Sequence, residues 1–380
     1  MKKILVASLV FILLFGCAPE QSESSDTASV NQTEIQLVCQ DDKEKLEKIA
    51  KAFQKKNPEI IIKTVEIDSD DDFSSSVKAL LSGKNAPTLI LTKAEDLSEF
   101  QEYTEDLSGE AWVNNAFANT MGEVSRAGEI TALPAEIEGI GFLYNKEIFE
   151  YANINPENIN SFDRLAETAE YLAKKMDGLK KQFPDLTAVF ELPDEDGERY
   201  LLNAALSQQF QNSAELLENT EELKFAEGYS SLLKLQREYG KSADITEGEV
   251  IIALKSHKSI EEGKYGILPV SVIGASQDSI VLRVPDFWVI NKNAEKSQIK
   301  AAKKFLSWLY TSEEGKALVA DELEALSPFD SAEKLPESPL AEAVKKFAIS
   351  GKTMPYILDG IDDETCIKLK HTAENSIPPA

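Results

Sequence analysis

Histidine is nearly absent: His257 and His371 are the only two in a chain of 380 residues. No Gly-x-Ser-x-Gly turn, His-Glu-x-x-His pair or Cys-x-x-Cys spacing occurs, so nucleophile-elbow hydrolases and the common zinc sites leave no mark here. Cysteine is equally sparse, with Cys17, Cys39 and Cys366 alone, which excludes a disulfide framework. Cys39 lies in the apolar, strand-like run Ile35-Gln36-Leu37-Val38-Cys39 and is expected to be a buried free thiol. Positive charge is also short. Forty Lys and Arg face 66 Asp and Glu, a formal charge of −26, which argues against nucleic acid and against a polybasic grip on anionic lipid. Long apolar runs are missing too, since the main one, residues 4–15, is too brief to span a membrane comfortably. No cofactor and no metal is expected, and no covalent chemistry. A two-carboxylate glycosidase stays open on spacing alone, because such pairs form in space rather than in sequence.

What is present starts at the N-terminus. Lys2 and Lys3 precede the apolar run, which ends in Leu14-Phe15-Gly16-Cys17. Basic residues, a short apolar stretch and a small residue before cysteine are the marks of a bacterial lipoprotein signal. Residues 1–16 would be removed, taking the charge to −28, and Cys17 would carry the lipid. Residues 17–32, rich in Ser, Gln, Glu and Thr, read as a flexible tether. The expectation is a body held on the extracytoplasmic face of the cell membrane. A surface scaffold of that kind is the alternative to a soluble-ligand receptor, but no repeats are present to support it.

The remaining 364 residues exceed what a single core usually serves, so two domains are expected. Strand 34–39, a helix over 43–55 with Asp41 or Asp42 as its cap, strand 59–67, a short helix near 75–81 and strand 88–91 alternate as a parallel sheet covered by helices. Ligand crevices in such sheets lie at the carboxyl ends of the strands. A second α/β block runs from about 139 to 284, with a strand at 140–144 and helices near 162–176, capped by Ser161, 214–222 and 226–238. A strand at 286–291 and a helix at 297–310 follow.

Several stretches carry a more specific likeness. Gly128-Glu129-Ile130-Thr131-Ala132-Leu133-Pro134 precedes Gly139-Ile140-Gly141-Phe142-Leu143-Tyr144-Asn145-Lys146-Glu147-Ile148-Phe149. Ala301-Ala302-Lys303-Lys304-Phe305-Leu306-Ser307-Trp308-Leu309 and Gly351-Lys352-Thr353-Met354-Pro355 follow later. Together they resemble the extracellular solute-binding proteins of ABC transporters, in the carbohydrate-binding group that includes maltose-binding protein. The resemblance implies a two-lobed α/β fold of the periplasmic-binding-protein type with three hinge crossings, near 136–141, 283–287 and 327–332. Lobe 1 would hold 33–137 and 285–328; lobe 2 would hold 138–284 and 329–380. It further implies a monomer that traps a small solute, in the first instance a sugar, between its lobes and delivers it to membrane permease subunits.

A sugar site needs flat apolar faces and carboxylates or amides aimed at hydroxyls. The resemblance places Glu138 and, further on, Glu191 among the carboxylates. Position after the third strand makes Thr92, Lys93 and Glu95 crevice candidates, and Asp68 follows the second strand. Trp288 and Trp112 are the candidate stacking faces, with Tyr103 and Phe287 behind them. The family's aromatics near Thr92, in the 248–258 segment and after Met354-Pro355 are replaced by Thr, by Lys or His, and by Asp362-Asp363-Glu364. That argues against a maltodextrin-like ligand and leaves a smaller, more polar or charged one open. Asp68-Ser69-Asp70-Asp71-Asp72 imitates a calcium loop but has Phe73 and Ala79 where Gly and Glu are needed.

Overall fold

The computed structural model describes residues 32–219, 224–275 and 278–375. The signal segment, Cys17 and the tether up to residue 31 lie outside the described residues.

Two sheets carry the architecture. The first has Thr33–Cys39 at its heart, flanked in parallel by Ile60–Glu66 and Leu89–Lys93. Asp286–Ile290 then adds antiparallel to Leu89–Lys93, and the short strand Leu133–Pro134 closes that edge. Ile35, Leu37, Val38 and Cys39 are completely buried, as a central strand covered on both faces requires. The second sheet is built on Glu138–Asn145, buried along its whole length. Val250–Ser256 pairs antiparallel on one side; Ile280–Arg283 and Tyr265–Leu268 share the other. Ala188–Glu191 extends it beyond Val250–Ser256, and Thr353–Pro355 beyond Ile280–Arg283.

The helices follow their apolar spacing. Lys43–Lys56 buries Leu46, Ile49, Ala50 and Phe53, one stripe at helical period. Its N-cap is Asp42, but that residue adopts a left-handed backbone, φ 62°, and its side chain makes no capping bond. Ser161 does cap Phe162–Gln182, accepting from the Arg164 amide at 3.3 Å. Asp72, at the end of the acidic loop, accepts from the Ser75 amide at 2.7 Å and so starts Phe73–Leu81. The last turn of the calcium-like segment is therefore a helix cap. Cys39 and Cys366 are both free and buried, the state expected of Cys39 from its strand. Asp363–Asn375 buries Cys366, Leu369 and Ala373, and Ser230 Oγ donates to the Ala373 carbonyl at 3.2 Å, so the C-terminal helix docks on Ala226–Tyr239.

The core under the first sheet is aromatic. Phe305, on Lys296–Thr311, is fully buried, meets Phe53 edge-on at 5.3 Å and Trp288 at 6.5 Å, and stacks on Trp308 at 6.3 Å. Phe305→Ala should cost about 3–5 kcal/mol, measured as a shift in urea midpoint at unchanged slope. Ile367→Ala, at a half-exposed position, should change stability by less than about 0.5 kcal/mol.

Candidate functional site

The chain passes from the first sheet to the second between Pro134 and Glu138, and back between Arg283 and Asp286. Charged side chains gather at these crossings. Arg283 grips Asp359 in a fork, Nε to Oδ2 at 2.9 Å and Nη2 to Oδ1 at 2.7 Å, while its Nη1 reaches Glu138 Oε2 at 3.5 Å. The guanidinium also lies over the Tyr356 ring, 5.3 Å from its centre. Burial works against the Arg283 charge, but the bonds and field of Asp359, with Glu138, more than offset it and hold its pKa above the ordinary range. Glu138 is itself buried and accepts from Ser256 Oγ at its other oxygen.

Beside this network, Lys258 Nζ bridges both oxygens of Glu136 at 2.8 Å. Burial raises the Glu136 carboxyl, with Lys258 opposing. Asp286, opposite Lys93 in the sheet, is pushed up to about 7 by burial and then by the nearby Glu136 charge. His257 is buried under the first crossing, where its Nδ1 accepts from the Gly139 amide at 3.1 Å, and burial lowers its pKa to about 4. It is a neutral structural imidazole.

Between the sheets lies an inner chamber of about 170 Å³. Its apolar floor is Leu282, Phe287, Pro355 and Tyr356, and its polar wall includes Gln101, Asn119, Glu123, Gln211 and Asp359. An outer cleft of about 680 Å³ adjoins it, lined by Tyr200, Arg199, Arg283 and acidic residues from Glu195 to Asp363. Glu95, Tyr356 and Asp359 border both spaces. Along the chamber the segment around Asn119–Glu123 touches chain from the second sheet's side directly. Glu123 accepts from the Ser213 amide and hydroxyl, both at 2.7 Å, and Asn119 Nδ2 donates to the Thr353 carbonyl and hydroxyl at 2.7 and 2.8 Å. Gly122 passes so close that a Cβ there would lie 2.5 Å from the Gln211 carbonyl oxygen.

Residues 48–347 match the family described as bacterial extracellular solute-binding protein. The chain belongs to that family. The same fold occurs in a family 1 extracellular solute-binding protein from Bifidobacterium longum subsp. infantis, 18% identical, with 91% of this chain and 96% of that one covered at a TM-score of 0.70. It occurs also in RafE from Streptococcus pneumoniae, 14% identical, 90% and 94% covered, TM-score 0.71. A third example is the cyclic alpha-maltosyl-1,6-maltose binding protein from Arthrobacter globiformis, 12% identical, 91% and 95% covered, TM-score 0.67. No curated protein matches the sequence.

In this solute-binding protein the expected contacts divide sharply. Glu95 borders both chamber and outer cleft. Glu138 stands at the crossing, but its oxygens are engaged by Ser256 and Arg283, so it positions the arginine rather than lining the chamber. Trp288 is a correction: it is fully buried, and its Nε1 donates to the Tyr310 hydroxyl at 2.7 Å. Strand side chains alternate faces, so it is the neighbouring Phe287 that meets the chamber. Trp112 is likewise a packing residue, half-buried against Phe329 at 5.8 Å. Glu191 is held by Lys255 at 2.8 Å and the Ile245 amide at 3.1 Å, at the far edge of the second sheet. Thr92 is buried and bonds the Lys93 carbonyl; Lys93 pairs with Asp41 at 3.5 Å near the hinge; Asp68 accepts from Asp70 within its own loop.

Tyr356, directly after Met354-Pro355, is the aromatic that borders the chamber. Tyr356 and Asp359 follow a strand's carboxyl end, which is the signal that could have found them. Gln101 lies in the 3-10 segment Ala94–Tyr103, Asn119 in the 3-10 turn Ala118–Thr120 and Glu123 just beyond it, and nothing in the sequence marks them.

Asp286 gives a pH test. Its folded pKa of about 7 lies well above the usual carboxyl range, so the native state holds the extra proton. That stabilisation is complete below the unfolded value and disappears as pH rises through about 7. Asp286→Asn should therefore melt higher than the parent at pH 8 and match it near pH 4, read by thermal unfolding across that range.

Proposed function

We propose that this protein is a lipid-anchored receptor on the extracytoplasmic face of a bacterial membrane that captures a small carbohydrate and hands it to the permease subunits of an ABC transporter. The carrying observation is the inner chamber, whose walls come from both sheets and whose floor offers Tyr356 beside carboxylate and amide groups. A ring can lay its C–H face on the aromatic while its hydroxyls donate to Asp359 and Glu123. Sugar as the ligand class is supported by neighbours of the same fold, among them RafE in complex with raffinose. The lobes are taken as 33–137 with 285–328 and 138–284 with 329–380. A solute touching both favours the closed arrangement; one touching a single lobe would shift nothing. The protein acts as a monomer, and no nucleic acid takes part.

Thermal unfolding of the full chain with mono-, di- and oligosaccharides, polyols and small organic acids tests the reading. One sugar should raise the midpoint by several degrees, and Tyr356→Ala should weaken its binding at least about tenfold. A response to an acid or amine alone would keep the receptor and overturn the carbohydrate. For the anchor, Cys17→Ser should release the protein from the membrane fraction of expressing cells, followed by immunoblotting. Retention of the variant there would overturn lipidation at that residue.

A further inference from the structure

Asn203 is the polar residue in the buried run Leu201-Leu202-Asn203-Ala204-Ala205-Leu206, which ends the helix Glu195–Leu206, and it is itself completely buried. An asparagine is a poor helix former, and a buried amide is costly unless both its ends are bonded. Its bonds show what it is for. Nδ2 donates to the Pro355 carbonyl at 3.0 Å, and Oδ1 accepts from the Ile357 amide at 2.8 Å. The amide of Tyr356, between them, points the other way and donates to the Leu282 carbonyl at 3.0 Å. Thr353–Pro355 is an edge strand, with Ile280–Arg283 on one side only. On its open side the Asn203 amide takes the place of a neighbouring strand, so Tyr356 is bracketed from both edges.

The same helix supplies two more contacts to this stretch. Arg199, one turn before Asn203, donates through Nη2 to the Leu358 carbonyl at 3.0 Å, and the Tyr200 ring meets that of Tyr356 edge-on at 6.2 Å. Asp359 is held separately, by the fork of Arg283. Asn203 itself borders neither the chamber nor the outer cleft. Its side chain is committed to the backbone around the tyrosine whose ring floors the chamber.

We propose that Asn203 is a positioning residue for solute binding: it touches no ligand, but by fixing the backbone on either side of Tyr356 it sets the plane on which the solute lies. The proposal rests on the sugar-receptor reading above and deepens it. The clamp needs one donor and one acceptor, which an amide offers at every pH. A carboxylate in its place keeps the acceptor and sets a charge against the Pro355 carbonyl. A protonated carboxyl again offers one of each.

Calorimetric titration of the full chain with raffinose, stachyose and a panel of monosaccharides, at about pH 5 and about pH 8, tests it, each variant being compared with the parent at the same pH. Burial raises the carboxyl introduced by Asn203→Asp. That variant should bind the best sugar of the panel about tenfold more weakly than the parent at the higher pH and within about twofold of it at the lower. Asn203→Leu, uncharged and of similar shape, should lose about tenfold at both, and it keeps the test open if the charged variant unfolds. In a Tyr356→Ala background either change should cost less than about threefold, because the ring being positioned is gone. Thermal unfolding confirms that each variant is folded. Parent-like affinity of a folded variant at the higher pH would overturn the role of Asn203, as would a tenfold loss that persists without the Tyr356 ring. Binding of no sugar by the parent chain would overturn the carbohydrate reading and the positioning role with it.

Discussion

The guanidinium of Arg283 is the group on which the rest of the arrangement depends. It stands where the chain returns to the first sheet, reaches Glu138 at the other crossing, and holds Asp359 from the C-terminal segment in a two-bonded fork. Three distant stretches of sequence are thus tied at one charge, under a tyrosine that also walls the ligand chamber. Removing one member of such a set strands an uncompensated charge, which costs several times what the pair contributes on its own. The hinge and the chamber are therefore one electrostatic unit, and whatever displaces Asp359 is felt at both crossings.

Around that unit the protein concentrates buried carboxylates. Glu136, Asp286 and Asp359 are all raised by burial, each checked by a cation or, for Asp286, by the more distant Lys258 and Lys93. A crossing built from such groups has few low-energy arrangements, because each carboxylate must keep its partner or take up a proton. His257, neutral and fixed to the Gly139 amide, belongs to the same packing, which is why one of only two histidines carries no chemistry.

Direct contacts across the chamber complete the picture. Asn119, in the 3-10 turn Ala118–Thr120, and Glu123 just beyond it bond to the strand Thr353–Pro355 and to the start of Ser213–Glu218. The shape of the chamber is thus fixed by these contacts as well as by the groups that face into it. Its aromatic surface comes from Tyr356 and Phe287, with no tryptophan on the wall.

Legible in the sequence were the elements with strong periodicity: the buried central strand 33–39, the helices carrying Phe53 and Phe305, the Ser161 cap, and the two free thiols. Each depends on local spacing or on burial alone, which side-chain chemistry dictates directly. Glu138 was found at the crossing, but its role was not, because the partners Arg283 and Ser256 lie 145 and 118 residues away. Trp288 and Phe287 could be ordered only once the pairing of their strand settled which face each side chain takes, since a shift of one residue exchanges them. The chamber itself, made by Gln101, Asn119, Glu123, Tyr356 and Asp359, exists only where loops without period converge from both sheets. Local chemistry determined the parts; the long-range pairing of charges and strands decided which of them face the ligand.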